Sequence, residues 1–143
     1  MTMAEMKKRV LLIGEKTDNE LFALLGDQGY EVAALETPHR ARGVCPLYKP
    51  HFIIVQLRYP KDVNILDECL AIAGRVPVVA VISLIAKQSL VKAVKEKAAA
   101  FLVFPVKPQT IRDTLRNVEL SANQEQVHSA GEKYLATPDI KLP

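Results

Sequence analysis

Phe52-Ile53-Ile54-Val55-Gln56-Leu57 and Val78-Val79-Ala80-Val81-Ile82-Ser83 decide the fold of this chain. A strand with one face in water alternates apolar and polar residues. These two are apolar on successive positions, so both of their faces must be covered. A parallel sheet with helices on each side follows. Three further short runs, Val10–Ile13, Tyr30–Leu35 and Phe101–Phe104, are β-branched or aromatic and bounded by Gly, Pro or charged residues, which brings the expected count to five strands.

Segments of helical period separate the strands. Thr17 or Asp18 can cap a helix whose Leu21, Leu24 and Leu25 share a face, and Gly29 is placed to end it. Further helices are expected over Pro38–Leu47, Asp62–Ala73, Ala86–Lys97 and Pro108–Leu120. The second should be short or irregular, because Gly43 and Pro46 disfavour a helix interior. The last carries Ile111, Leu115 and Val118 inward and Arg112, Arg116 and Glu119 outward. Strict β-α alternation with right-handed crossovers gives a doubly wound, flavodoxin-like α/β domain with strand order 2-1-3-4-5. Its crevice opens at the C-terminal ends of the first and third strands.

With 143 residues, 49% of them hydrophobic, the chain can build one compact core and little more. The domain is placed at residues 9–121. From 122 to 143 the composition turns to Asn-Gln-Glu-Gln and Ala-Thr-Pro-Asp with no sustained period, which reads as a flexible tail or a short docking segment. No apolar run approaches the roughly 18 to 20 residues of a membrane span, and Met1 to Arg9 leads straight into a strand pattern, so a soluble cytoplasmic chain is expected. Cys45 and Cys69 have no partner spacing for zinc or a disulfide framework, and His39, His51 and His128 show no ligand spacing. No cofactor is expected: Gly14-Glu15-Lys16-Thr17 lacks the upstream glycine and the Gly-Lys-Ser/Thr order of a phosphate-binding loop.

Val10-Leu11-Leu12-Ile13-Gly14-Glu15, Pro50 through Pro60, Val76 through Ser83 and Phe101-Leu102-Val103-Phe104-Pro105 together resemble the receiver domains of response regulators in two-component signalling, over about Arg9 to Leu120. Pro60, Pro77 and Pro105 fall where that family places prolines. The resemblance implies an acidic pair at the end of strand one that binds Mg²⁺, a phospho-acceptor Asp at the end of strand three, a hydroxyl at the end of strand four, and a Lys before a cis proline after strand five. Here those positions hold Gly14 and Glu15, Gln56, Ile82 or its neighbour Ser83, and Phe104.

The departures bear on chemistry. In the family a carboxylate attacks phosphorus, Mg²⁺ neutralises the growing charge, and the Lys and hydroxyl hold the phosphoryl oxygens. The neutral amide of Gln56 cannot form an acyl phosphate, and Glu15 alone is a poor Mg²⁺ site. Phe104 is expected to fill the old phosphate pocket and close it. Arg58 is placed to reach Glu15 and supply the positive charge a metal would bring.

The reading is therefore a degenerate, pseudo-receiver domain without enzymatic activity, acting in signal transduction by phosphorylation-independent protein–protein interaction. Lys87, Lys92 and Lys95 on the fourth helix, Phe101 on the fifth strand, and Arg112 and Arg116 on the fifth helix define a basic face. Through it the chain would dock another signalling protein or a second copy of itself. A small-molecule-binding regulatory domain using the same crevice is the alternative. Nucleic-acid association is disfavoured, since no aromatic-interleaved basic motif or helix-turn-helix is present.

Overall fold

The computed structural model describes residues 7–14 and 20–131, with side chains described as far as Ser121. Five strands, β1 (Arg9–Ile13), β2 (Glu31–Leu35), β3 (Phe52–Leu57), β4 (Val78–Ser83) and β5 (Ala100–Phe104), form one sheet in the order β2-β1-β3-β4-β5. Every pairing is parallel. Between and after them lie α1 (Glu20–Asp27), α2 (Pro38–Tyr48), α3 (Val63–Ala73), α4 (Lys87–Lys97) and α5 (Pro108–Gly131). The expected α/β architecture and strand order are those observed, and each strand begins within one residue of its expected place.

Alternating side chains of the central strands feed two cores, one on each side of the sheet. Leu11, Ile13, Ile53, Val55, Leu57, Ala80 and Ile82 meet α2, α3 and α4 through Ala41, Leu66, Cys69, Leu90 and Val94. Val10, Leu12, Phe52, Ile54, Val79, Val81 and Leu102 meet α1 and α5 through Leu21, Leu25, Ile111, Leu115 and Val118. This division explains why β3 and β4 are apolar on successive residues. Burial of a large aliphatic side chain stabilises by roughly 1.5–3 kcal/mol, so the two central strands anchor the domain.

The helix ends depart from the sequence expectation in instructive ways. Gly29 does follow α1, at φ 95°, and Tyr30 N–H donates back to the Leu25 carbonyl at 3.2 Å. The suggested caps Thr17 and Asp18 lie outside the described residues. α2 is neither short nor irregular: it runs 11 residues through Gly43 and Pro46. Both stand on its exposed side, Pro46 in the last turn, while Pro38, Ala41 and Cys45 form a buried stripe. Its end is clamped: Tyr48 Oη donates to the Glu31 carbonyl at 3.0 Å, Arg9 Nε donates to the Tyr48 carbonyl at 2.8 Å, and Lys49, at φ 55°, donates its N–H to the Cys45 carbonyl at 2.9 Å. Tertiary anchoring outweighs propensity here. α3 starts at Val63, with Pro60–Asp62 a 3-10 turn. α5 continues past the expected end at Leu120 to Gly131, so part of the segment read as a tail is helical, and residues 132–143 lie outside the described residues.

At the opposite end of the sheet from the crevice, His51 joins β1 to β3. Its backbone N–H donates to the Arg9 carbonyl at 2.8 Å and its Nδ1 accepts the Arg9 N–H at 2.9 Å. Partial burial, then the Arg9 and Lys8 charges, lower its pKa, with Glu119 opposing. A folded pKa below the unfolded one means the unfolded chain binds more protons. The contribution is therefore present above about pH 6.5 and lost as pH falls through the folded value. Urea midpoints measured between about pH 7.5 and 5.5 should fall for the wild type and fall less for His51→Asn; equal slopes would contradict this.

Candidate functional site

Strand parity places Gln56, Ser83 and Phe104 on the α1/α5 side of the sheet, at the C-terminal ends of β3, β4 and β5, where Ser83 is in register with Phe104. Together with Leu57, Arg58 and Val81 they line a cleft of about 160 Å³. The expectation that Phe104 closes the pocket is thus corrected. Its ring is half-buried and forms one wall, leaving a small opening. Small-molecule sites usually enclose roughly 300–1,000 Å³, which leaves the ligand-binding alternative short of room. The Phe104–Pro105 bond is cis, as the resemblance implies.

Of the two candidates for the hydroxyl position, Ile82 is fully buried on the α3/α4 side, and Ser83 lines the cleft. The Ser83 hydroxyl is structurally committed: it donates to the Arg58 carbonyl at 2.8 Å and accepts the Ala86 N–H at 3.2 Å. It thereby ties the β3–α3 connection to the β4–α4 connection. Asp62 fastens the first of these, its Oδ2 accepting the N–H groups of Arg58 at 2.8 Å and Tyr59 at 3.0 Å.

Gln56 is 7% exposed, and its Oε1 has no hydrogen-bond partner among the described residues. An orphaned buried acceptor costs about 1–3 kcal/mol. The amide packs against Gly14, at the end of β1. A Cβ built on Gly14 would stand 2.8 Å from Gln56 Cβ and 2.9 Å from its Oε1. Gly14 is also held across the sheet, donating its N–H to the Leu35 carbonyl at 3.0 Å. Any side chain at position 14 therefore needs the β1 and β3 ends to part.

This geometry does not fit Mg²⁺. At the described positions the ion would use there is an amide and a glycine whose missing side chain has no room, whereas Mg²⁺ takes carboxylate oxygens in near-octahedral geometry. Glu15, and with it the suggested Glu15–Arg58 pair, lies outside the described residues.

The basic face is only partly assembled. Lys87, Lys92 and Lys95 are exposed on α4, and Phe101 is half-buried on the edge strand, against the α3/α4 core. Arg112 and Arg116 do not join them. Arg112 Nε donates to Gln28 Oε1, at the end of α1, at 2.9 Å, and both arginines act on Tyr30, lowering a pKa that burial and Glu119 raise. Lys8 pairs with Glu119 on this same flank. The helix turns about 100° per residue. Arg112, Arg116 and Glu119 consequently fall on the α1 side of the buried stripe, and Thr114, Asn117 and Ser121 fall on the β5 side. Those three, with Arg75, Pro77, Ala99, Ala100, Phe101 and Val118, line an open groove of about 550 Å³. The period of α5 contains this division, which sets Arg112 and Arg116 apart from the lysines of α4.

No protein-family model matches the chain, and no curated protein sequence matches it. Solved structures do. It superposes on the signal receiver domain of a modulated diguanylate cyclase from Desulfovibrio desulfuricans with a TM-score of 0.70 at 16% identity, over 84% of this chain and 99% of that one. For a response regulator receiver domain from Clostridium thermocellum the score is 0.66 at 20% identity, over 84% and 98%. For a response regulator receiver domain protein from Methanospirillum hungatei it is 0.64 at 17% identity, over 84% and 99%. The fold is that of the response regulator receiver domains.

Substitutions at two positions test the site. Gly14→Ala should destabilise by about 1–3 kcal/mol through overpacking in urea titrations. Gln56→Ala should not rescue it, because the nearest atom is the Cβ that alanine retains. Gln56→Asp alone should remain unlabelled by acetyl phosphate and Mg²⁺, since Gly14 and Phe104 still withhold a ligand and a cation; robust labelling would overturn this account of the site.

Proposed function

We propose that the chain is a pseudo-receiver, a cytoplasmic signalling domain that has left phosphoryl transfer and works by protein–protein contact, with no enzymatic activity of its own. One observation carries the reading. The residue at the acceptor position is an amide packed onto Gly14, with its Cβ 2.8 Å from where a side chain of residue 14 would begin. Phosphorylation there would need a different nucleophile and a metal ligand with no room to stand.

The contact face follows from the edge of the sheet. β5 is an edge strand, with exposed lysines on α4 to one side and the groove lined by Phe101, Thr114, Asn117 and Ser121 to the other. A second signalling protein or a second copy of the chain would dock there, with Lys92 and Lys95 setting salt dependence.

The test is sedimentation velocity and intact mass on one sample, before and after incubation with acetyl phosphate and Mg²⁺. The expected result is the same mass and the same sedimentation profile. A hydroxylamine-sensitive phosphoryl adduct, or a change in association on treatment, would overturn the proposal.

A further inference from the structure

Resting on the phosphorylation-independent reading, we infer that the rim of the cleft is a preformed docking site for an acidic protein segment that presents one large apolar side chain. Leu84 is 65% exposed, Ile85 83% and Tyr59 47%. Scattered exposed apolar residues are ordinary, but the two connections that carry these three are tied to each other. Leu84 and Ile85 follow Ser83, Tyr59 follows Arg58, and the Ser83 hydroxyl bonds the Arg58 carbonyl at 2.8 Å.

The rim is also held in shape. Asp62 fixes the backbone of Arg58 and Tyr59, and Ser83 caps the turn into α4 by accepting the Ala86 N–H. A surface ordered in advance avoids much of the conformational cost of binding. The cleft beside it, at about 160 Å³, is the size of one side chain rather than of a metabolite; an apolar cavity of about 150 Å³ accepts a benzene ring. Its floor carries the amide of Gln56, whose oxygen is unpartnered among the described residues.

Charge selects the occupant. Lys61 sits over the Tyr59 ring, 5.9 Å from its centroid, and Lys87 is exposed at the start of α4, whose first turn has no acid. Within the two tied connections the acid is Asp62, and its carboxylate is engaged with backbone N–H groups. The two tied connections thus carry Arg58, Lys61 and Lys87 against the single acid Asp62, which suits an anionic segment with an apolar anchor.

The probe is a synthetic peptide of Asp and Glu residues around a single Phe, titrated into the ¹⁵N-labelled chain without Mg²⁺ or phosphoryl donor. Saturable shifts are expected at Gln56, Tyr59, Ser83, Leu84 and Ile85. Affinity should fall at least tenfold in Leu84→Ser/Ile85→Ser, at high salt, and for the same peptide with Ala in place of Phe. The double substitution is at exposed positions and should leave the urea midpoint unchanged. Absence of binding, or binding indifferent to the double substitution, would overturn the inference. So would self-association of the free chain that the double substitution abolishes, which would assign the rim to a second copy. Neither result touches the phosphorylation-independent reading, which fails only if acetyl phosphate modifies the chain.

Discussion

The approach of the β1 and β3 ends, where Gly14 meets Gln56, is the constraint on which the character of this domain depends. In a parallel sheet of order 2-1-3-4-5 the adjacent ends of the first and third strands form the mouth of the crevice, so whatever stands there determines the chemistry. Here the backbone of residue 14 comes so near to Gln56 that even a methyl group would meet its Cβ at 2.8 Å. The glycine and the amide are therefore one feature. Gly14 permits the close approach and Gln56 covers it, with a carbonyl oxygen that has no hydrogen-bond partner among the described residues.

The rest of the crevice is organised around that fact. Ser83, which in an active site would hold a phosphoryl oxygen, instead bonds two connections together, and Asp62 fixes one of them from the other side. Phe104 lines the cleft together with Gln56 and Ser83. A switch requires groups with two alternative sets of partners. In this domain the β3–α3 and β4–α4 connections are bonded to each other through Ser83, and Asp62 fixes the first of them.

Much of the fold was legible in the chain because β3 and β4 are covered on both faces and so lack alternation, a signal that depends only on burial. The departures from the family pattern at Gly14, Gln56 and Phe104 were equally visible. What was not legible depended on tertiary context. Pro46 and Gly43 suggested a broken α2, but the buried stripe of Pro38, Ala41 and Cys45 and the clamp at Tyr48 and Lys49 hold the helix. The resemblance gives Ile82 the strict hydroxyl position with Ser83 beside it, whereas the structure sends Ile82 into the α3/α4 core and leaves Ser83 on the cleft. Arg112 and Arg116 looked like members of a docking face; the turn of α5 points them at Gln28 and Tyr30 instead. The depth of the cleft depends on how far Phe104 leans over it, and no pattern of residue types encodes that.

The most direct test of the central claim is an NMR titration of the ¹⁵N-labelled chain, first with Mg²⁺ and then with beryllofluoride, watching the amides of Gly14, Gln56, Ser83 and Phe104. No saturable shifts are expected at any of them, because the β1 and β3 ends approach too closely for a side-chain ligand at position 14. Saturable shifts confined to these residues would mean that the crevice still binds ions, and would contradict this expectation.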